Sequence, residues 1–258
     1  MRAFLTVLLV VFMFGARPGS AAETQLNVMI SGGFSGAYEQ LLPEFERMSG
    51  IKVTTLSAAS QGTGPQTIGA QLASGVHADV VILSREGLTQ LIAANRIVAG
   101  TDVDLARVGL GAAVRTGAPK PDVSTVEGFK QAMLNAKTVA IPGSTSGIWL
   151  RTTLFPRLGI ADKVNVKVLA RGTEVTAMVA AGTADIGVLP VSEIVHAHAS
   201  GVELAGIVAP EIQFMQTFST AVVTGSNEIG AAKQLIAFLT SARASEAIRK
   251  SGMESLAK

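Results

Sequence analysis

Apolar and polar positions alternate in two different periods along this chain. Residues 25–31, QLNVMIS, form a short apolar run that predicts a buried strand. After Gly32 and Gly33, the spacing of Ala37, Tyr38, Leu41, Leu42, Phe45 and Met48 predicts a helix over about 35–48. Residues 51–56 and 78–83 read as further strands, the first followed by a polar loop at 57–66 and a helix ending near Gly75. A helix over about 86–95 and a strand-like stretch at 108–114 complete the first half.

The second half repeats this grammar. Ser124 and Glu127 form a capping-box pattern ahead of a helix. Strands are expected at 138–142, 166–170, 184–190 and 213–223. Helices are expected after Gly147, from 173 to about 181, over 229–240 and over 243–251. One echo joins the halves: AQLASGVHADVVIL at 70–83 and AMVAAGTADIGVL at 177–189. Strand–helix alternation with apolar strands predicts an α/β fold of two similar halves, each a mostly parallel sheet covered by helices on both faces.

The start of the chain follows a different rule. Arg2 precedes an apolar stretch at 3–14, and small residues follow up to Ala21 and Ala22. This is the layout of a cleavable secretory signal peptide over 1–22, and a core of about a dozen residues is too short for a bilayer span of roughly 20. The chain carries 21 basic and 19 acidic residues. Removing 1–22 takes away Arg2 and Arg17, which leaves 19 of each sign. A neutral mature chain has no basic footprint for nucleic acid. With no cysteine, disulfides, thiolate catalysis, Cys-ligated zinc and lipid anchoring at the cleavage point are excluded. An exported protein of the periplasm is expected.

Recognised catalytic patterns are absent: there is no G-x-S-x-G elbow, Walker A or HExxH. The three histidines, His77, His196 and His198, read as surface residues, and no enzyme activity, metal or cofactor is expected. Four glycine- and hydroxyl-rich loops remain. They carry Gly32, Gly33 and Phe34; Ser60, Gln61 and Thr63; Ser144, Thr145, Ser146 and Gly147; and Arg171 and Thr173. Each falls between a strand and a helix, the edge where open α/β sheets bind ligands. Helix N-termini there present free N–H groups to an anion. These twelve residues are the candidate ligand site. Arg171 suits a bidentate contact with a carboxylate, and Arg85 and Arg151 are weaker candidates.

In order and spacing, these segments resemble the molybdate-binding branch of the type 2 periplasmic solute-binding proteins of ABC transporters. The matches run through 28–37 (VMISGGFSGA), 71–75, 78–80, 146–148, 158–159, 174–175 and 184–188. The resemblance implies two lobes joined by two hinge strands, the first formed by 23–108 and 216–258 and the second by 109–215. It implies closure of the lobes on a small anion, with delivery to an ABC permease or presentation to a membrane sensor kinase, by a monomer. In molybdate binders a serine stands at the place of Gly33 and a tyrosine at that of Pro190, while Ser146 matches an alanine that offers its N–H. The loop with Gln61, Thr63 and Pro65 is longer here. These departures favour a small organic carboxylate, with molybdate or tungstate as the alternative.

Overall fold

The structure is a computed structural model that describes residues 24–256. The expected export signal lies outside the described residues. In chain order the first part contains β1 (Gln25–Ile30), α1 (Gly32–Ser49), β2 (Lys52–Ser57), α2 (Ile68–Ala73), β3 (Val80–Ser84), α3 (Arg85–Ala93) and β4 (Val103–Val108). The middle contains β5 (Leu110–Arg115), α4 (Val126–Asn135), β6 (Val139–Pro142), α5 (Thr145–Trp149), a π-helical turn (Leu150–Leu154) and α6 (Phe155–Arg157). It continues with β7 (Val166–Leu169), α7 (Gly172–Ala180), β8 (Ile186–Pro190), α8 (Val191–His196) and β9 (Val202–Ile207). The chain closes with β10 (Gln216–Val222), α9 (Ile229–Leu239), α10 (Ala242–Lys250) and β11 (Glu254–Ser255).

The strands form two sheets, ordered β11-β4-β10-β3-β1-β2 and β7-β6-β8-β5-β9. Each sheet is mixed. The parallel parts are β2-β1-β3 and β7-β6-β8, where crossover helices join the strands. The remaining pairs are antiparallel, and they involve the strands that carry the chain from one sheet to the other. We call the two sheets with their helices the first and second lobes.

Period-2 side-chain alternation explains why both faces of each sheet are buried. In β1, Leu26, Val28 and Ile30 join one core, and Met29 joins the core on the opposite face. In β3, Val80 and Ile82 face the first core and Val81 and Leu83 the second. The second lobe repeats the arrangement, with Val139 and Ile141 on one side of β6 and Ala140 on the other. Each fully buried Val, Leu or Ile contributes about 1.5–3 kcal/mol.

Three local readings need correction. The stretch expected as one strand at 108–114 is broken at Gly109, where β4 ends in the first sheet and β5 begins in the second. The cap of α4 is Thr125, whose hydroxyl accepts from the Gly128 N–H at 3.0 Å, while Ser124 bonds Asp122 instead. The strands β4 and β9 have no counterpart in the sequence reading, because Asp104 and Arg107 interrupt the apolar pattern of the first and Glu203 that of the second.

The chain crosses between the lobes twice, at Gly109 and through residues 208–215. Gln213 clasps the two crossings. Its side-chain oxygen accepts from Leu110 N–H at 2.6 Å, and its amide donates to the carbonyls of Leu110 and Val208 at 3.1 and 3.0 Å. Gly109 fits closely against this amide: an added Cβ would stand 3.0 Å from it and require it to give by a few tenths of an ångström.

Candidate functional site

The carboxyl ends of the parallel strands of both sheets face each other across a cavity of about 30 Å³. Ser31, Gly32 and Gly33 reach it from the start of α1, and Ala58, Ala59 and Ser60 from the segment after β2. Pro142, Ser144, Thr145 and Ser146 come from the start of α5, and Arg171 and Gly172 from the start of α7. Glu193 of α8 and Gln216 and Phe218 of β10 complete the wall. A second cavity of about 330 Å³ adjoins it and shares Gly32, Gly172 and Glu193. A surface groove of about 610 Å³ lies at the opposite end of β6 and β8, around Arg115, Lys120 and Asp185. No parallel strand ends there in a helix start, so it lacks the oriented amides of the cleft.

The helix starts at the cavity lack side-chain caps, a feature they share with α6, α8, α9 and α10 but not with α2, α3 and α4. Thr67, Ser84 and Thr125 close α2, α3 and α4 with side-chain hydrogen bonds. Ser31, Ser144 and Arg171 precede α1, α5 and α7 without making such a bond. The first amides of a helix have no intrahelical acceptor, so these starts keep donors and a positive dipole end for another group. Ser31 Oγ, Arg171 Nε and Gln216 Oε1 are buried without hydrogen-bond partners.

The structure brings seven of the twelve expected residues to the cavity: Gly32, Gly33, Ser60, Ser144, Thr145, Ser146 and Arg171. Thr173 lines the adjoining cavity. Gln61 lies beside the cleft and bonds across it, with its backbone N–H donating to Ser144 Oγ at 3.3 Å and its side-chain Oε1 accepting from Thr145 Oγ1 at 2.8 Å. Ser84 Oγ extends this chain to Thr145 at 2.7 Å. Arg171 also crosses, its Nη1 lying 3.2 Å from Ser57 Oγ and 3.4 Å from Ser57 O. Thr63 is exposed and lines neither cavity. Phe34 is buried in the first core, 6.5 Å from the Phe218 ring. Gly147 packs against Pro142, whose carbonyl oxygen would lie 1.6 Å from an added Cβ. Of the other arginines, Arg85 is held by Asp102 and Asp104. Arg151 lines a separate surface groove with Phe155 and Val166.

Three cavity residues had no signal in the loops: Phe218, Glu193 and Gln216. Phe218 presses its ring where a side chain at position 33 would stand, 2.0 Å from an added Cβ. A serine there would have to force the Phe218 ring aside. Glu193 ends beside the starts of two helices: its Oε2 would lie 1.7 Å from a Cβ at Gly172 and 2.8 Å from one at Gly32. Its carboxyl has no hydrogen-bond or ion-pair partner among the described residues. Burial pushes it up to about 7. Its only signal was the apolar flanks of Val191 and Ile194.

Among the described residues no cluster of His, Asp or Glu could hold a metal ion. No described helix is long and apolar enough to cross a membrane. His77 lies 3.3 Å from Asp79, and His196 lies 3.7 Å from Glu39 across the lobes.

Comparison with known proteins agrees with this architecture. The Azotobacter vinelandii periplasmic molybdate-binding protein superposes with a TM-score of 0.65 at 18% identity, covering 88% of this chain and 98% of that one. The sulfate-binding protein SubI of Mycobacterium tuberculosis gives 0.68 at 20%, covering 90% and 87%. PEB3 with bound L-phospholactate gives 0.68 at 14%, covering 89% and 99%. These establish the two-lobed periplasmic binding fold. An aconitate isomerase from Pseudomonas sp is 34% identical over 252 residues, 96% of this chain and 95% of that protein. The family model for bacterial extracellular solute-binding proteins matches residues 26–254, so the chain belongs to that family.

Proposed function

We propose that this chain is a periplasmic receptor that closes its two lobes, 23–108 with 216–258 and 109–215, on a small organic carboxylate. It then delivers the anion to an ABC permease as a 1:1 monomeric complex. One observation carries the reading: three helix starts without side-chain caps meet Ser31 and Arg171 at a single cavity between the lobes. Such a site offers an anion oriented amides, a hydroxyl and a guanidinium. Phe218 fills the place of the serine that molybdate binders use, and Pro190 replaces their tyrosine, which favours a carboxylate over a tetrahedral oxyanion. The relative named for aconitate, a tricarboxylate, supports the same class. A thermal-shift screen of the mature protein tests this, because a ligand of the native state raises the melting temperature. Carboxylates are expected to raise it. A shift by molybdate alone rejects the assignment. A membrane sensor kinase in place of the permease would read the same closed form.

A second reading is favoured by the relative's isomerase activity together with Glu193. A carboxyl held near 7 in a cleft can accept and return a proton at neutral pH. In this reading the receptor also isomerises its unsaturated ligand. Nuclear magnetic resonance of aconitate in deuterated buffer checks it: conversion between the geometric isomers supports catalysis, and unchanged spectra at saturating protein reject it.

A further inference from the structure

Glu193 poses a problem for a simple anion site. The cavity presents donors from three helix starts, and its wall also holds a carboxyl group. An acid here repels an incoming anion unless a proton lies between them, as two carboxylates that approach closely cannot both stay ionised. Two features show that this carboxyl belongs to the cleft. It borders both cavities, and glycines at 32 and 172 are what leave room for it. A second acceptor without a donor, Gln216 Oε1, lies in the same wall. Two acceptors facing the ligand require something with a hydrogen to give. A fully ionised tetrahedral oxyanion has none, whereas a polycarboxylate can arrive with one proton.

We propose that Glu193 is the specificity filter of the cleft: it shares one proton with a carboxylate of the ligand, so a polycarboxylate binds with proton uptake and fully ionised oxyanions are rejected. This rests on the reading of the cleft as a carboxylate site. The proton comes from solvent and lies between a Glu193 oxygen and a ligand oxygen, while the ligand's other carboxylates take the helix starts and Arg171. No bond to carbon changes.

Other charged groups pack around Glu193. From α1 come Glu39 and Tyr38, which line the adjoining cavity with it. The Tyr38 hydroxyl is pushed by burial to about 12 and bonds Thr55 at 3.0 Å. From the start of α7 comes Arg171, with Glu174 at 3.8 Å. On α8 itself His196 follows one turn later and faces Glu39. His196 is the group whose titration has to be separated from that of Glu193.

The test uses the mature protein, trans-aconitate and sulfate as probes, and calorimetry in buffers of different ionisation enthalpy. Between about pH 7.5 and 9, trans-aconitate affinity should fall close to tenfold per pH unit, with uptake of about one proton. Glu193→Gln should flatten that slope and gain sulfate binding at the high-pH end, and His196→Asn should keep the slope. Wild-type binding with no proton uptake overturns the filter but leaves the carboxylate reading intact. So does a Glu193→Gln variant that keeps the wild-type slope. If wild type and Glu193→Gln both fail to bind trans-aconitate and the other small carboxylates at every pH, the carboxylate reading falls, and the filter with it. The proton-uptake measurement needs only the wild type, so a poorly folded variant does not block the decision.

Discussion

The two lobes use the same device at one end of their sheets and diverge at the other. Asp79 and Asp185 are equivalent residues of the sequence echo. Asp79 accepts the Asn27 N–H at 2.8 Å, and its own N–H returns to Asn27 O at 2.7 Å. Asp185 does the same with Thr138, at 2.9 and 3.0 Å. Each aspartate ties the entry of one parallel strand to its neighbour. The surroundings differ: Asp79 is 1% exposed and takes a further bond from Ser226 at 2.7 Å, whereas Asp185 is exposed. At the cleft the contrast concerns glycine. Gly33 in the first lobe makes room for the apolar ring of Phe218, and Gly172 in the second for the carboxyl of Glu193. The repeated half-sequence thus sets a common backbone, and one side chain per lobe decides whether a glycine notch serves packing or chemistry.

Substitutions can break this comparison, starting with the largest expected effect. Asp79→Ala strands the Asn27 amides and the Ser226 hydroxyl in the interior and should cost roughly 3 kcal/mol or more in urea unfolding. Glu193→Gln should act with the opposite sign and only at higher pH. The folded carboxyl sits at about 7, above the ordinary carboxylate value of 4.5. The folded state therefore binds the proton more tightly, and no cost exists below the unfolded value. The cost grows as pH rises from there to about 7 and is complete above it. Thermal melts at alkaline pH should show the variant more stable by up to about 3 kcal/mol, less where the lobes open, with no gain in acid. Gly33→Ala should cost about 2 kcal/mol by forcing the Phe218 ring aside, and Phe218→Leu should recover part of it. Gly172→Ala meets a movable carboxylate instead of a ring. It should leave unfolding nearly unchanged and weaken carboxylate binding in calorimetry. Asp185→Ala should cost under about 1 kcal/mol, because water replaces the exposed acceptor. Equal costs at the two aspartates would show that burial does not distinguish them.

Much of the α/β alternation was legible because buried parallel strands are written as short apolar runs, as in Val80–Leu83 and Val139–Ile141. The meeting of four loops was legible from their position after strands, since the sheet edge gathers them without any long-range knowledge. What stayed hidden depended on pairing between distant residues. Arg85 looked available for the cleft, but Asp102 and Asp104 hold it. Phe34 stood among the candidate cleft residues although an apolar ring suits the core better, and Phe218, 184 positions away, helps place it in the core. Glu193 did not stand out at all, because one charged residue in a short helix has no pattern of its own. Its importance comes from the two glycines of other elements that admit it. The π-helical turn at Leu150–Leu154 kept the helical spacing of Leu150 and Leu154 and so left no trace in the periodicity.

The hinge has an optical consequence. Trp149 is the single tryptophan of the chain. Its indole stacks on Phe214 with ring centroids 5.1 Å apart. Phe214 belongs to the second crossing, beside the Gln213 clasp that ties both crossings together. Any bending of the linker alters the distance and tilt of this pair, and with them the quenching and polarity around the emitting ring. The protein thus carries an intrinsic fluorophore at the joint between the lobes, where the proposed closure would bend the chain. Stopped-flow emission, without a dye or an added label, reads the rate at which the lobes swing.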